Sequence, residues 1–200
     1  MAKAKHEHTE QTVVIIKPDG VFRALVGEIT MRFEKAGLKL VACKMVHVDA
    51  DLVGKHYRDD EDYLRSVGEK SLENYKKYGF DPGEHLGTKD PVEIGRIVRG
   101  WNIEFLSSGP VVVQLWEAPH AIEIVRKIVG FTFPQVATPG TIRGDFSMDS
   151  PFLSNTLKRP VKNLIHASGD KKEAELEKKL WFREEEIHSY KRVDEDLIYG

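Results

Sequence analysis

The stretch TVVIIKPDGVFRALVGEITMRFEKAG, residues 12–37, contains a predicted strand, turn and helix in succession. TVVIIK (12–17) is a short β-branched apolar run, which is typical of a buried strand. Pro-Asp-Gly at 18–20 ends that strand, because proline fixes φ and Asp-Gly tolerates a turn. One apolar face at helical spacing follows, made of Val26, Ile29, Phe33 and Ala36. Gly37 is the predicted cap of this helix.

Similar patterns extend the prediction along the chain. The further predicted elements are a strand at 38–48, a short helix from Asp49 or Asp51 to near Tyr57, a strand at 110–116, a helix from Pro119 to Gly130, a strand end at 163–168 and a charged helix at 171–180. The order β-α-β-(α)-β-α-β-α predicts an α+β fold of the βαββαβ kind, with helices on one face of an antiparallel sheet.

Three segments fit this pattern less well. Residues 1–11 are polar, and we expect a frayed tail there. Residues 58–106 contain two helical patches, at 61–77 and 91–106, around a loop-like stretch. Residues 147–162 carry two prolines and are expected to be irregular. Length alone predicts one domain over 1–200.

Composition excludes several classes of protein. Of 200 residues, 40% are hydrophobic and 31% are charged, as in globular domains. Lys and Arg total 30 and Asp and Glu total 32, so the net charge of −2 argues against a dedicated nucleic-acid binder. Cys43 is the single cysteine, which excludes an intrachain disulfide. No apolar run is long enough for a membrane span or precedes Val13 as a signal peptide, so we expect no membrane association and a cytoplasmic location.

The common nucleotide and metal motifs are missing from the sequence. Neither G-x-x-x-x-G-K-[ST], nor G-x-G-x-x-G, nor H-E-x-x-H occurs. His6, Glu7 and His8 offer a weak metal site, although an exposed tail is the preferred interpretation.

Scattered cations and one histidine are candidates for chemistry. Lys17, Arg126 and Arg143 lie near element ends; each alone fits a surface cation, but together they would suit a polyphosphate. His166, at the end of a strand, is the best candidate nucleophile, and Glu177 on the following helix is a possible carboxylate partner. The pattern alone still favours a packed histidine over a catalytic one.

Longer stretches make the chain resemble the nucleoside diphosphate kinase family. They occur in that family's order: residues 12–37, HYRD (56–59), SGPVVVQLWE (108–117), TPGTIRGDF (138–146), NLIHAS (163–168), LWF (180–182) and the closing LIYG (197–200). The resemblance implies a ferredoxin-like fold and a ping-pong transfer of a γ-phosphoryl group from a nucleoside triphosphate to a nucleoside diphosphate. It also implies Mg²⁺ bound mainly through the nucleotide phosphates and a homo-oligomer, either a hexamer or a tetramer.

The resemblance assigns roles to nine residues. His166 would be the phosphorylated nucleophile, with Ser168 and Glu177 supporting it. Lys17 and Asn163 would contact the ribose and help to organise the histidine. The remaining nucleotide contacts would come from Tyr57, Arg126, Thr132 and Arg143, of which the last three would hold the phosphates.

The chain departs from the family at several positions. The segments 58–106 and 147–162 are insertions, and the nucleobase contact falls to Val98, Trp101 or Phe105. Ala167 follows the histidine where the family has glycine, and Phe131 and Phe133 flank Thr132 where polar residues are usual.

A catalytically silent, nucleotide-binding relative is the alternative hypothesis. Such a relative would be expected to lose His166, Lys17, Arg126 or Arg143, and all four are present. A primary role in nucleic-acid binding is disfavoured by the net charge.

Overall fold

The structure is a computed structural model that describes residues 9–199. The predicted weak metal site at His6, Glu7 and His8 lies outside the described residues. The elements in chain order are β1 (Thr9–Ile16), α1 (Pro18–Phe22), α2 (Val26–Lys35), β2 (Lys39–Val46), α3 (Ala50–His56), α4 (Glu61–Tyr78), α5 (Pro82–Leu86), α6 (Pro91–Leu106), β3 (Val111–Pro119), α7 (Ala121–Val129), α8 (Ile142–Phe146), α9 (Pro151–Thr156), β4 (Ile165–Ala167), α10 (Lys171–Trp181) and α11 (Glu195–Tyr199).

The four strands form one antiparallel sheet in the order β2-β3-β1-β4. The apolar strand β1 is therefore central, between β3 and the short β4. Ile15 of β1 lies opposite His166 of β4, which places the candidate nucleophile on an edge strand, next to the central β1. The α+β sandwich predicted from the sequence is confirmed.

Helices cover both faces of the sheet, whereas the sequence predicted them on one face. Val14 and Ile16 pack with α2 and α7, and Val13 and Ile15 pack with α3 and the ends of α6 and α10. The reason is that β1 is apolar at successive positions, so each face carries side chains that must leave water. All four residues have no measurable exposure.

Element boundaries differ from the prediction where the local pattern is weak. Residues 9–11, expected in a frayed tail, belong to β1 because β3 pairs with them. Pro119 ends β3 rather than starting a helix, and α7 begins at Ala121. The segment 147–162, expected to be irregular, contains α9.

The long segment 58–106 folds as a helical hairpin with the short α5 at its tip. The helices α4 and α6 meet at two glycines. A Cβ on Gly68 would lie 1.8 Å from the carbonyl oxygen of Pro91, and a Cβ on Gly95 would lie 2.0 Å from that of Leu64. Only glycine permits this approach of two backbones. None of the described helices is both long enough and apolar enough to cross a membrane.

Candidate active site

The turn after β1 is bonded to the segment that leads into β4. The N–H of Lys17 donates to the carbonyl of Leu164 at 2.8 Å, and the N–H of Leu164 donates to Asp19 Oδ2 at 3.1 Å. Leu164 has φ of +70°, an unusual value for a non-glycine residue. A Cβ on Gly20 would lie 3.0 Å from the Leu164 carbonyl oxygen, so Lys-Pro-Asp-Gly fits against this strained backbone. The two segments that position Lys17 and His166 are thus built as one unit.

A hydrogen-bond network fixes the ring of His166. Its Nε2 lies 2.6 Å from Glu177 Oε1, and the Ser168 hydroxyl donates to Glu177 Oε2 at 2.7 Å. Ser168 Oγ in turn accepts from the Val13 N–H at 3.1 Å, which ties the network to β1. Nδ1 of His166 has no hydrogen-bond partner among residues 9–199. The ring nitrogen that is free to react is therefore Nδ1.

The surroundings of His166 favour its neutral form. Burial lowers the pKa of His166 well below its usual value; Glu173 opposes this shift, while Lys17 and the two nearby arginines add to it. Burial raises the pKa of Glu177, although the neighbouring His56 and Ser168 counteract that shift. A neutral imidazole keeps the lone pair that a nucleophile needs near pH 7.

Lys17 lies at the end of a chain of polar contacts. Its Nζ donates to Asn163 Oδ1 at 2.9 Å, and Asn163 Nδ2 donates to the Thr132 carbonyl at 2.9 Å. Burial, together with the positive charge of Arg143, lowers the pKa of Lys17 to about 8. These two hydrogen bonds connect Lys17, Asn163 and Thr132, which are three of the residues that the family resemblance implies in the nucleotide site.

Arg143 is more deeply built into the fold than a surface cation would be. Its guanidinium donates to three carbonyls, those of Gly130 at 3.0 Å, Asn163 at 3.2 Å and Ile165 at 2.6 Å. A guanidinium has five N–H donors, so two remain for a ligand. Burial, together with Arg126, lowers the pKa of Arg143 to about 10.

Arg126, unlike Arg143, is not bonded to the surrounding fold. It lies exposed near the end of α7 and, within the described part of the chain, makes no hydrogen bond or ion pair. All of its donors are therefore available to a ligand.

His166 and the three cationic side chains line one cavity of about 570 Å³. Its volume lies within the range of small-molecule sites. Seven of the nine residues predicted from the sequence line it, namely Lys17, Tyr57, Arg126, Thr132, Arg143, Asn163 and His166. Ser168 and Glu177 lie behind His166, away from the lining. Burial raises the pKa of Tyr57, so its hydroxyl stays protonated and can donate.

His56 is a site residue that the sequence analysis left without a role. Its buried ring lies edge-on to His166, with centroids 4.6 Å apart, and its Nδ1 is 3.3 Å from Glu177 Oε1. Trp181 Nε1 donates to the same Nδ1 at 3.3 Å. The one signal in the sequence was the position of His56 directly before Tyr57.

The segments 58–106 and 147–162 both line the cavity, which the sequence did not indicate. The hairpin contributes residues of α4 and α6, and the segment 147–162 contributes residues of α9. Of the three candidates for the base contact, Val98 and Trp101 line the cavity, whereas Phe105 is not on the lining. Tyr63 of α4 is a further aromatic residue there.

The donor set bears on which metal could bind. Ligand atoms of His56, His166 and Glu177 lie within 4.8 Å of one another, but two of these groups are imidazoles and Mg²⁺ prefers oxygen. Among the described residues that line the cavity, Glu173 is the one carboxylate beside several cations. This set fits a magnesium ion held mainly by phosphate oxygens and does not form an all-protein cage.

Comparison with known sequences supports the resemblance. A family model described as nucleoside diphosphate kinase matches residues 10–65 and 100–187, which leaves most of the helical hairpin unmatched. A nucleoside diphosphate kinase of Pyrobaculum aerophilum is 52% identical over 178 residues, covering 89% of this chain and 97% of the relative.

Solved structures agree with the sequence comparison. An NDP kinase from Pyrobaculum aerophilum superposes with a TM-score of 0.89 at 49% identity, covering 90% of this chain and 100% of the other. A nucleoside-diphosphate kinase from Borrelia burgdorferi, described as a transition-state mimic with bound vanadate and ADP, has a TM-score of 0.74 at 39% identity, with coverages of 94% and 95%.

Proposed function

The chain belongs to the nucleoside diphosphate kinase family, and we propose that it transfers the γ-phosphoryl group of a nucleoside triphosphate to a nucleoside diphosphate through His166. The observation that carries this proposal is the state of His166. Its Nε2 is held by Glu177, its Nδ1 is free, and its lowered pKa keeps the ring neutral beside the cations of the cavity.

The first half-reaction follows from this geometry. The lone pair of Nδ1 attacks the γ-phosphorus, the bond from that phosphorus to its bridging oxygen breaks, and the nucleoside diphosphate leaves with the electron pair. The ring becomes positively charged, and its Nε2–H donates to the Glu177 carboxylate. In the second half-reaction a terminal oxygen of another nucleoside diphosphate attacks the phosphohistidine, and Nδ1 leaves as the neutral imidazole.

The cations of the cavity carry out most of the catalysis in this proposal. Phosphoryl transfer has a loose transition state, so positioning and charge neutralisation dominate. Arg126 and the two unused donors of Arg143 would hold phosphate oxygens, with Thr132 beside them. Lys17 and Asn163 would contact the ribose, and Lys17 would add positive charge next to the histidine. Tyr57 would complete the nucleotide site.

Magnesium and partners complete the proposal. Mg²⁺, when bound, would neutralise charge on the phosphates, and Glu173 is the carboxylate on the described lining that could contribute to holding it. We further propose a homo-oligomer, a cytoplasmic location that matches the soluble nucleotide substrates, and no primary nucleic-acid partner. The silent-relative alternative gains no support, because the groups needed for transfer meet in one cavity.

Phosphoenzyme formation tests the function directly. We expect γ-labelled ATP to give an acid-labile, alkali-stable phosphoprotein that an added nucleoside diphosphate discharges. His166→Ala should abolish the label, whereas His47→Ala, at an exposed histidine outside the cavity, should label like the wild type. Equal labelling of the wild type and His166→Ala, or no label in either, would refute the mechanism.

A further inference from the structure

Three side chains that commonly bind metal ions meet at the ring of His166. They come from the end of α3, from β4 and from α10, and the ligand atoms of His56, His166 and Glu177 lie within 4.8 Å of one another. The three residues are far apart in sequence, so only the packed fold brings them together. Two imidazoles and one glutamate are the same donor set that holds zinc in some hydrolytic enzymes.

The distances between these groups are close to those around a coordinated ion. Zinc holds nitrogen and oxygen at about 2.0–2.2 Å, so two ligands of a tetrahedral zinc ion are about 3.4 Å apart. Nδ1 of His56 lies 3.3 Å from Glu177 Oε1 and already matches this separation. Nε2 of His166 lies 2.6 Å from the same oxygen, which is the length of a hydrogen bond that shares one proton. Replacing that proton with a metal ion requires this pair to open by about 0.8 Å.

The Glu177 carboxylate is oriented for such a role. The Ser168 hydroxyl donates to its Oε2 at 2.7 Å, which leaves Oε1 to face both imidazoles. Hydrogen bonds of this kind behind a ligand fix its orientation in metal sites. Glu177 is also buried, so little solvent competes for its oxygens.

The polar atoms of His56 are poorly satisfied by the protein alone. Nδ1 has both the Trp181 N–H and the Glu177 carboxylate at 3.3 Å. A proton on Nδ1 would leave the Trp181 donor without an acceptor, whereas a lone pair there would face the carboxylate oxygen. Nε2 is buried and has no hydrogen-bond partner among residues 9–199, which is uncommon for a ring nitrogen. A cation bound by Nδ1 and Oε1 would remove the repulsion between these two acceptors.

The surroundings favour a reversible ion of a particular class. An ion can reach the cluster through the cavity, because His56 and His166 both line it. Two imidazole ligands select a late first-row divalent ion over Mg²⁺, which prefers oxygen. The positive charges of Lys17, Arg126 and Arg143 act on His166 and also oppose a cation there. We therefore expect an ion that exchanges rather than a permanent structural one.

We propose that His56, His166 and Glu177 bind a zinc ion, with water as the fourth ligand, and that this ion inhibits phosphoryl transfer. The zinc ion displaces the Nε2 proton of His166 to solvent, withdraws electron density from the ring and occupies the carboxylate that would stabilise its positive charge. Nδ1 stays open but becomes a weaker nucleophile. The metal site stands by itself, whereas the inhibition rests on the proposed function.

Metal titration of the whole protein tests the site without any activity measurement. Co²⁺, used as the spectroscopic substitute for Zn²⁺, should give the strong visible absorption of a four-coordinate ion, and Zn²⁺ should abolish that absorption. Competition with a chromophoric chelator gives the zinc affinity. His56→Phe keeps a ring but removes a ligand, and Glu177→Gln keeps the shape but removes the charge. Each should weaken zinc binding by more than about tenfold, since even partners behind the ligands contribute that much.

Two control variants remove the other evident zinc ligands of the chain. Cys43→Ser removes the exposed thiol, and a double variant, His6→Ala with His8→Ala, removes two imidazoles outside the described residues. Both should keep the wild-type cobalt absorption and zinc affinity. Far-ultraviolet circular dichroism checks that every variant is folded.

Rapid-quench measurement of phosphoenzyme formation tests the inhibition. With excess Mg²⁺ and ATP and a zinc buffer, saturating zinc should slow the wild type at least about tenfold, the lower limit expected when the Glu177 contact is lost. A chelator should restore the rate, and His56→Phe should need more zinc for the same slowing.

The outcomes separate the metal site, the inhibition and the function beneath them. Absence of the four-coordinate cobalt absorption, or an unchanged zinc affinity in either folded ligand variant, would overturn the site. Zinc bound at the site with no slowing of phosphoenzyme formation would overturn the inhibition. A metal-free wild type that forms no phosphoenzyme with any triphosphate would instead overturn the proposed function.

Discussion

The contact between His166 and Glu177 leads to a quantitative prediction. Glu177 is 4% exposed, and its two oxygens accept from His166 Nε2 and from the Ser168 hydroxyl. Glu177→Gln keeps the shape but leaves one accepting oxygen for two donors and removes the negative charge. A hydrogen bond to a charged group contributes about 1.5–3 kcal/mol, and this one strengthens as the ring becomes positive in the transition state. Phosphoenzyme formation should therefore slow about 10- to 150-fold.

Rapid-quench measurement of phosphohistidine formation at saturating ATP provides the assay. Glu175→Gln, on the exposed side of the same helix, removes the same charge without touching the network and should react like the wild type. Far-ultraviolet circular dichroism checks that both variants are folded. If folded Glu177→Gln forms phosphoenzyme within twofold of the wild-type rate, the network does not act in the transition state and the argument from its geometry fails.

Three further predictions follow from the site and the helical hairpin. Because the pKa of Lys17 is lowered to about 8, its positive charge is lost as the pH rises through about 8, and kcat/KM for ATP should fall there; a flat profile up to pH ~9.5 would contradict this. Gly95→Ala should lower the free energy of unfolding by about 1–3 kcal/mol in urea, since its Cβ would meet the backbone of α4, whereas Gly100→Ala, with open space around it, should not destabilise the protein. Arg143→Ala should lower kcat/KM at least about tenfold, or 1.4 kcal/mol, and should also lower the melting temperature, because three carbonyls lose their donor. Arg126→Ala should lower kcat/KM with an unchanged melting temperature; a matching loss of stability in both variants would refute this division of roles.

Much of the fold could be predicted because its signals are local. The run TVVIIK predicts a buried strand, and the spacing of Ile29 and Phe33 predicts the buried face of a helix, as the structure shows. The predictions failed where the signal came from a distant partner. Residues 9–11 are polar, yet they join β1 because β3 supplies their hydrogen bonds. The segment 147–162 gave no periodicity, because α9 is a short helix held by distant contacts: its Ser154 hydroxyl donates to the Arg159 carbonyl, and its Phe152 packs against Tyr78 of α4.

The candidate site was predictable in its members but not in its contacts. The motifs identified His166, Lys17 and Asn163 as candidates. The sequence does not give the distances between residues that are so far apart along the chain. His56 was missed for the same reason, since its contacts with Glu177 and Trp181 span more than one hundred residues of chain.

The sequence by itself determined most of the elements, the family and the chemical types in the site, because periodicity, turn residues and motifs depend on neighbouring positions. The tertiary structure alone decided that Glu177 holds Nε2 and leaves Nδ1 free, that Arg143 binds three carbonyls as well as lining the cavity, and that the segments 58–106 and 147–162 both contribute to the lining. The physical reason is that strand pairing and burial fix side-chain distances and pKa values only once the distant segments have packed together.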